Sequence, residues 1–491
     1  MYLNLSYYSI IISSFLIQLL PIFFISGPAI PDIVITSVAI IFLCYSIYNK
    51  KIYLFKDYVI YYLFIIFLYL NFNSLFSDYI YVSFKYSIGF FRIIIFSVAL
   101  YFILTKNKKL IRNFYYCFLG CVIFLFLDSS LQSITGSNIF GYKPEHNSRM
   151  TSLFLDEQIM GSYISRLLPL VIGLFYMFNK NKSLIFFLIL ISGVIVFLSG
   201  ERVSLIYFLI TFFCYILIEF NTRNIVTALF FFSLSISYFT YKNPSQYNRI
   251  INHTLEQSKE SKYGLYSYRH QLHYATAYSM FKDRPLLGHG IGTFRYICGN
   301  EKFSQINKII QDGNIYAKKS DRYFYEKLLD IRDNVYYYEI YILDDLGDRI
   351  IVNSRLKPKN IIYFVSGEYV LKNQLLYSDF EYENGCNTHP HNIYMQFLAE
   401  LGIIGFGLFS SIFLYTVYRI LILFKLIFFN KKKKNLYKAK LFILLSVFVS
   451  MFPLLPSGNY FGNSLLIISY LPFGFYLYIK KINDLKFNNN I

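Results

Sequence analysis

A chain of 491 residues is long enough for several soluble domains, but 56% hydrophobic and 21% aromatic residues, with a mean hydropathy of +0.43, are too apolar for that class. The net charge of +19 raises nucleic acid as a partner, and its distribution argues against it: the basic residues fall in short loops between apolar runs, as membrane orientation requires. Six cysteines are too few and too scattered for a disulfide framework or a metal cage, and Cys44, Cys117, Cys121 and Cys214 lie inside apolar runs.

The first apolar run has no basic n-region and no small-residue cleavage site, so it is expected to remain as a helix. Runs at 7–25, 29–48, 52–71, 79–104, 112–130, 158–178, 183–199, 203–220, 223–240, 392–424, 438–455 and 462–480 predict an all-α polytopic membrane protein with about twelve transmembrane helices. Nine fall within residues 1–240 and three within 392–480, followed by a tail at 481–491. Alternate loops differ in charge. One set holds Lys50, Lys51, Lys56, Lys106, Lys108, Lys109, Arg112, Lys180, Lys182, Arg223, the run Lys431 to Lys434, and Lys480 with Lys481. The positive-inside rule puts this set and both termini in the cytoplasm, and the loop 241–391 between helices 9 and 10 outside.

That loop is the one large polar part. Its segment 267–281 reads as a helix stopped at Asp283-Arg284-Pro285. The glycine-rich stretch Leu287 to Phe294 is a weak phosphate signal and reads more simply as a flexible crossing segment. An insertion at about 300–385 contains Tyr/Ile/Val-rich runs from Val335 to Leu376, broken by Asp344 to Gly347 and Lys357-Pro358, which predict a small β insertion. Cys298 and Cys386 flank it in an oxidising compartment, and a disulfide between them is expected.

The chain lacks signatures for nucleotide hydrolysis, zinc proteolysis, dithiol exchange and serine hydrolysis. What remains is a set of arginines and imidazoles at the outer face. Arg202 opens an apolar helix in Ser199-Gly200-Glu201-Arg202, where a charge is costly without water or a partner such as Glu201, or it snorkels to the interface. On residues alone Arg269, among Tyr263, Tyr266, Tyr268 and Tyr274, reads more simply as a solvated charge with an aromatic neighbour than as an anion ligand, and Arg149 has the same ambiguity. Arg92 sits deep in the fourth run and is expected to face the bundle interior, in an ion pair with Asp78 or Asp32 or in contact with substrate. Thr388-His389-Pro390-His391-Asn392 places two imidazoles at the mouth of a hydrophobic helix. His391 abuts the helix start and is the better held of the two.

Four blocks resemble the pattern of the O-antigen ligase and O-antigen polymerase superfamily: Arg149-Met150-Thr151 through Phe154; Ser199-Gly200-Glu201-Arg202; Arg269 with Asp283 to Gly288 and Gly290 to Phe294; and His391-Asn392 through Gly405. The insertion and the extra His389 depart from simple members. The resemblance implies a multi-pass protein of the bacterial inner membrane that transfers glycan at the periplasmic face. The donor would be linked to undecaprenyl diphosphate, and the acceptor would be lipid A-core for a ligase or another lipid-linked glycan for a polymerase. In that reading Arg202 and Arg269 bind the diphosphate, His391 is the catalytic base, and Arg149, Arg92 and His389 are auxiliary. The donor is already activated, so no cofactor, metal or ATP is expected, and nucleic acid is not a partner. A lipid-linked glycan flippase is the rival class, although such transporters commonly show internal repeats around a midplane site, and no repeat is seen here.

Overall fold

The computed structural model describes residues 2–178, 182–255, 266–300, 302–303, 385–429 and 434–488, and by backbone alone the strands between 315 and 370. Lys180, Lys431 to Lys433, the turns Asp344 to Gly347 and Lys357-Pro358, and the side chain of Arg269 lie outside the described residues.

The chain is built of apolar helices: α1 (Tyr2–Gln18), α2 (Leu20–Ile25), α3 (Ala29–Tyr48), α4 (Tyr58–Leu75), α5 (Ile80–Lys106), α6 (Lys109–Thr135), α7 (Met160–Phe178), α8 (Lys182–Leu198), α9 (Arg202–Ile218), α10 (Thr222–Lys242), and the short α11 (Pro244–Tyr247). After them come α12 (Tyr268–Asp283), α13 (Phe294–Ile297), α14 (Ile393–Phe429), α15 (Lys434–Ser450) and α16 (Asn463–Asn488). Eight of these are long and apolar enough to cross a membrane, and Tyr7–Gln18, Lys182–Leu198 and Arg202–Ile218 are shorter apolar helices. The protein is a multi-pass membrane protein. The run expected at 7–25 divides at Leu19 into α1 and α2, and the one expected from 52 begins at Tyr58, where the Asp57 side chain accepts from the Val59 N–H at 2.9 Å as its cap.

The core is a central bundle in which α15 packs along α7, α16 along α5, and α14 against α15. At the lysine-rich end the buried Glu219 carboxylate is held by Lys182 at 2.5 Å, by Lys438, and by the Tyr176 hydroxyl at 3.0 Å, so the orienting Lys182 together with Lys438 also ties α8 and α15 to the end of α9. Between residues 315 and 370 the backbone forms six strands: β1 (Ile315–Lys319), β2 (Arg322–Arg332), β3 (Val335–Leu343), β4 (Arg349–Ile351), β5 (Tyr363–Val365) and β6 (Glu368–Val370). They pair antiparallel in the order β1-β2-β3-β5-β6, with β4 also on β3, and Tyr325 sits opposite Tyr341.

The glycine-rich stretch is a packed crossing and not a flexible one. The helix α14 breaks at Gly402 (φ +61°), and the freed backbone groups are met by the crossing chain. His289 N–H donates to Ala399 O at 3.1 Å, Gly290 N–H to Glu400 O at 2.8 Å, and Ile403 N–H to Pro285 O at 2.8 Å. The buried Glu400 carboxylate accepts from Gly292 N–H at 3.0 Å and Phe294 N–H at 3.1 Å. This is how broken helices persist in an apolar medium. Glycine is required at 288, where φ is +69° and a Cβ would stand 2.5 Å from the Glu400 backbone.

If the lysine-rich loops are cytoplasmic, reporter fusions at Lys109 and at Asn314 are expected to report opposite compartments. A shared compartment would overturn that topology.

Candidate active site

Two clusters form where the loop 241–391 meets the helix ends. The first is built of imidazoles. Asn392 caps α14, its side-chain oxygen accepting from Tyr394 N–H at 2.9 Å and Met395 N–H at 3.1 Å, while its amide donates to Pro453 O at 2.8 Å. His391, the residue before this cap, takes φ +54°, a conformation that is uncommon for a non-glycine residue and needs its surroundings to hold it. Ser457 N–H donates to the His391 carbonyl at 2.8 Å, and the Asn387 amide lies 3.2 Å from His391 Nε2. The His389 ring centroid is 4.2 Å away, and His273 and His270, one turn apart on α12, lie at 5.1 and 5.5 Å. Burial pushes His389 down to about 4, and nearby His273 and Arg295 push the same way against the Ser457 carbonyl, so its ring is neutral near neutral pH.

Cys298 and Cys386 are joined in a disulfide, with Cα atoms 5.0 Å apart. It ties the end of α13 to the residue before Asn387, the group that steadies His391. Cys386→Ser, or reduction of the intact protein, is expected to lower turnover roughly ten- to a hundredfold by loosening that contact. Unchanged turnover after verified reduction would show that the histidine segment does not depend on the disulfide.

The second cluster holds three guanidinium groups. The Gln132 side chain accepts from Thr151 N–H at 3.0 Å and Ser152 N–H at 2.8 Å, which fixes the segment carrying Arg149. Arg149 bonds the Gln158 side chain, and Arg249 Nε donates to Gly200 O at 3.2 Å. Arg202 donates to the Thr254 hydroxyl at 3.2 Å. Gly200 allows this convergence: its φ is +63°, and a Cβ there would lie 2.3 Å from Ser148 O and 3.3 Å from the Arg249 side chain. Burial and then repulsion from Arg149 and Arg202 push Arg249 down to about 10, against attraction from Glu201. Glu201 does not sit idle beside them. It caps α7, accepting from Gly161 N–H at 2.7 Å and Ser162 N–H at 3.1 Å, and takes the Ser204 hydroxyl at 2.8 Å. Burial raises its carboxyl to about 7, while these donors and Arg149 pull the other way.

A cavity of about 790 Å³ adjoins both clusters. Ser162, whose N–H is held by Glu201, lines it, as do Gly458 and Asn459, which directly follow the His389 partner Ser457, and Arg295. Arg92 and Asp32 also line it, paired at 2.6 and 2.9 Å.

Residues 186–326 match the family model described as O-antigen ligase. This match covers less than a third of the chain and supports its resemblance to the O-antigen ligase/polymerase superfamily. No curated protein matches it. The match supports O-antigen ligase-type glycan transfer in general, and hence an enzyme acting on lipid-linked glycan and an acceptor.

The ligase domain match contains Arg202 and Arg249, whereas Arg149 and His391 lie outside it. The structure brings Arg149 and Arg202 together, and His389 with His391. Arg269 stands in the first turn of α12. Arg92 is held apart from the arginine cluster in its ion pair with Asp32, one of the two acids expected for it, and Asp78 instead bonds Arg284 at 2.8 Å. Sequence reasoning passed over five residues. Arg166 is buried in α7, bonded to Ser162 and Ser450 at 3.0 Å and stacked on Tyr207, and the rule that singled out Arg92 also applies to it. His270 and His273 share a helix face by their spacing. Arg249 and Arg295 carry no local signal.

Proposed function

We propose that the protein transfers a glycan from an undecaprenyl-diphosphate-linked donor to a saccharide hydroxyl at the periplasmic face of the inner membrane. The observation that carries this reading is the convergence of Arg149, Arg202 and Arg249 from three chain segments around Gly200. Three guanidinium groups crowded against their own repulsion suit a multiply charged anion at the membrane surface. In the reaction the acceptor oxygen bonds to the anomeric carbon as the bond from that carbon to the diphosphate oxygen breaks. The electron pair leaves with undecaprenyl diphosphate, the arginines offset its growing charge, and His391 takes the hydroxyl proton. Direct displacement inverts the anomeric centre. The ligase-domain match favours this reading over a flippase, which would move the lipid-linked glycan without cleaving it.

The test gives purified protein in lipid nanodiscs the lipid-linked donor and a saccharide acceptor, with excess chelator and no ATP. Release of undecaprenyl diphosphate in step with an inverted glycosidic product is expected. Translocation of intact donor without release, or loss of transfer on adding chelator alone, would overturn the proposal. The glycans of a deletion strain then separate the two acceptors: uncapped lipid-linked polymer marks a ligase, and single capped repeats mark a polymerase.

A further inference from the structure

The cavity beside the two clusters holds more positive charge than its own structure uses. Its lining includes four cations, Lys85, Arg92, Arg166 and Arg295, and two acids, Asp32 and Glu157. Asp32 is taken up by both terminal nitrogens of Arg92, whose buried Nε has no hydrogen-bond partner among the described residues. Lys85 and Arg295 are exposed, and among the described residues neither forms an ion pair. The first turns of α3 and α16 also face this space through Asp32 and Asn463 to Leu466, adding the positive ends of two helices, whereas that of α7 is already capped by Glu201. Tyr86, only partly buried, supplies an aromatic side chain against which a sugar ring can pack. Arg295 is also near enough to His389 to help hold its ring neutral, which sets the cavity next to the histidine cluster.

We propose that this cavity is the acceptor subsite and that Lys85 and Arg295 select a glycan carrying an anionic group, a carboxylate or a phosphate, near the receiving hydroxyl. The inference rests on the glycan-transfer reading above and assigns the donor diphosphate to the separate arginine cluster. Occupation sets the anionic group of the acceptor against Lys85 and Arg295, compensating charge that the lining itself leaves unmatched.

The experiment uses the full chain in nanodiscs with matched acceptor oligosaccharides that are neutral, uronate-bearing or phosphate-bearing. Lys85→Ala and Arg295→Ala are each expected to lower the ratio of kcat/KM for the preferred anionic acceptor over the neutral one at least tenfold, and Arg295→Lys to restore part of it. The acceptor with the larger wild-type ratio names the anion. A wild-type ratio near one, a ratio unmoved by the variants, or a rise in donor KM in place of the ratio change would overturn the assignment. Calorimetric binding of a uronate or phosphate oligosaccharide without donor provides a readout independent of transfer: binding by wild type and its loss in the double variant support the subsite, and no binding of either to wild type removes it. If no lipid-linked donor is cleaved at all, the glycan-transfer reading fails, while this binding measurement still decides the subsite.

Discussion

His391→Ala is expected to lower transfer about a hundredfold to ten-thousandfold, the range for loss of a positioned general base, with protein level and donor binding retained. The ring sits at a strained backbone position (φ +54°) between the Asn392 cap and the Ser457 N–H, a geometry that fixes one side chain at the end of α14. His389→Ala is expected to cost much less. Its ring lies 3.2 Å from Ser457 O, and removing it loosens the wall beside His391 without removing the base. A pH profile separates the two. The His389 pKa is lowered to about 4 by burial, so on acidification it stays neutral until well below neutrality. An acid limb in kcat near neutral pH therefore belongs to another group, and its disappearance in a residual-activity profile of His391→Ala would assign it. A limb near pH 4, or full activity of His391→Ala, would hand the role to His389.

The membrane architecture was legible because a bilayer makes length and hydropathy nearly sufficient. The expected apolar runs are occupied by helix, eight of them by helices long and apolar enough to cross, while Leu19 divides one run, Asp57 delays another and Gly402 breaks a third. Arg92 was legible for the same reason: an interior charge must find an acid, and Asp32 was one of two within reach. The glycine-rich turn was misread because glycines mark close backbone approach as readily as flexibility, and only the break at Gly402 shows which applies. Arg249 was not legible at all. It is one charged residue in a polar loop, and its meaning comes from Arg149 and Arg202, which are distant in sequence.

The arginine cluster yields the second large effect, with opposite signs for binding and stability. Arg202→Ala is expected to lower kcat/KM for the donor about a hundredfold or more, as when a group stabilising transition-state charge is removed. Arg202→Lys should recover little, because an ammonium lacks the planar fork that grips two phosphate oxygens. Arg249→Gln should also weaken the donor. Burial and the neighbouring arginines lower Arg249 only to about 10, so at neutral pH it remains charged and its repulsion of Arg149 and Arg202 persists. Removing that charge is therefore expected to raise the thermal unfolding midpoint of the substrate-free protein in detergent while raising the donor KM. A purely structural cluster gives the reverse, a lower midpoint with donor KM unmoved. Added inorganic pyrophosphate supplies the complementary check: it should stabilise the wild type by neutralising the three guanidinium groups, and stabilise Arg249→Gln less. Equal stabilisation of both proteins would remove Arg249 from the anion site.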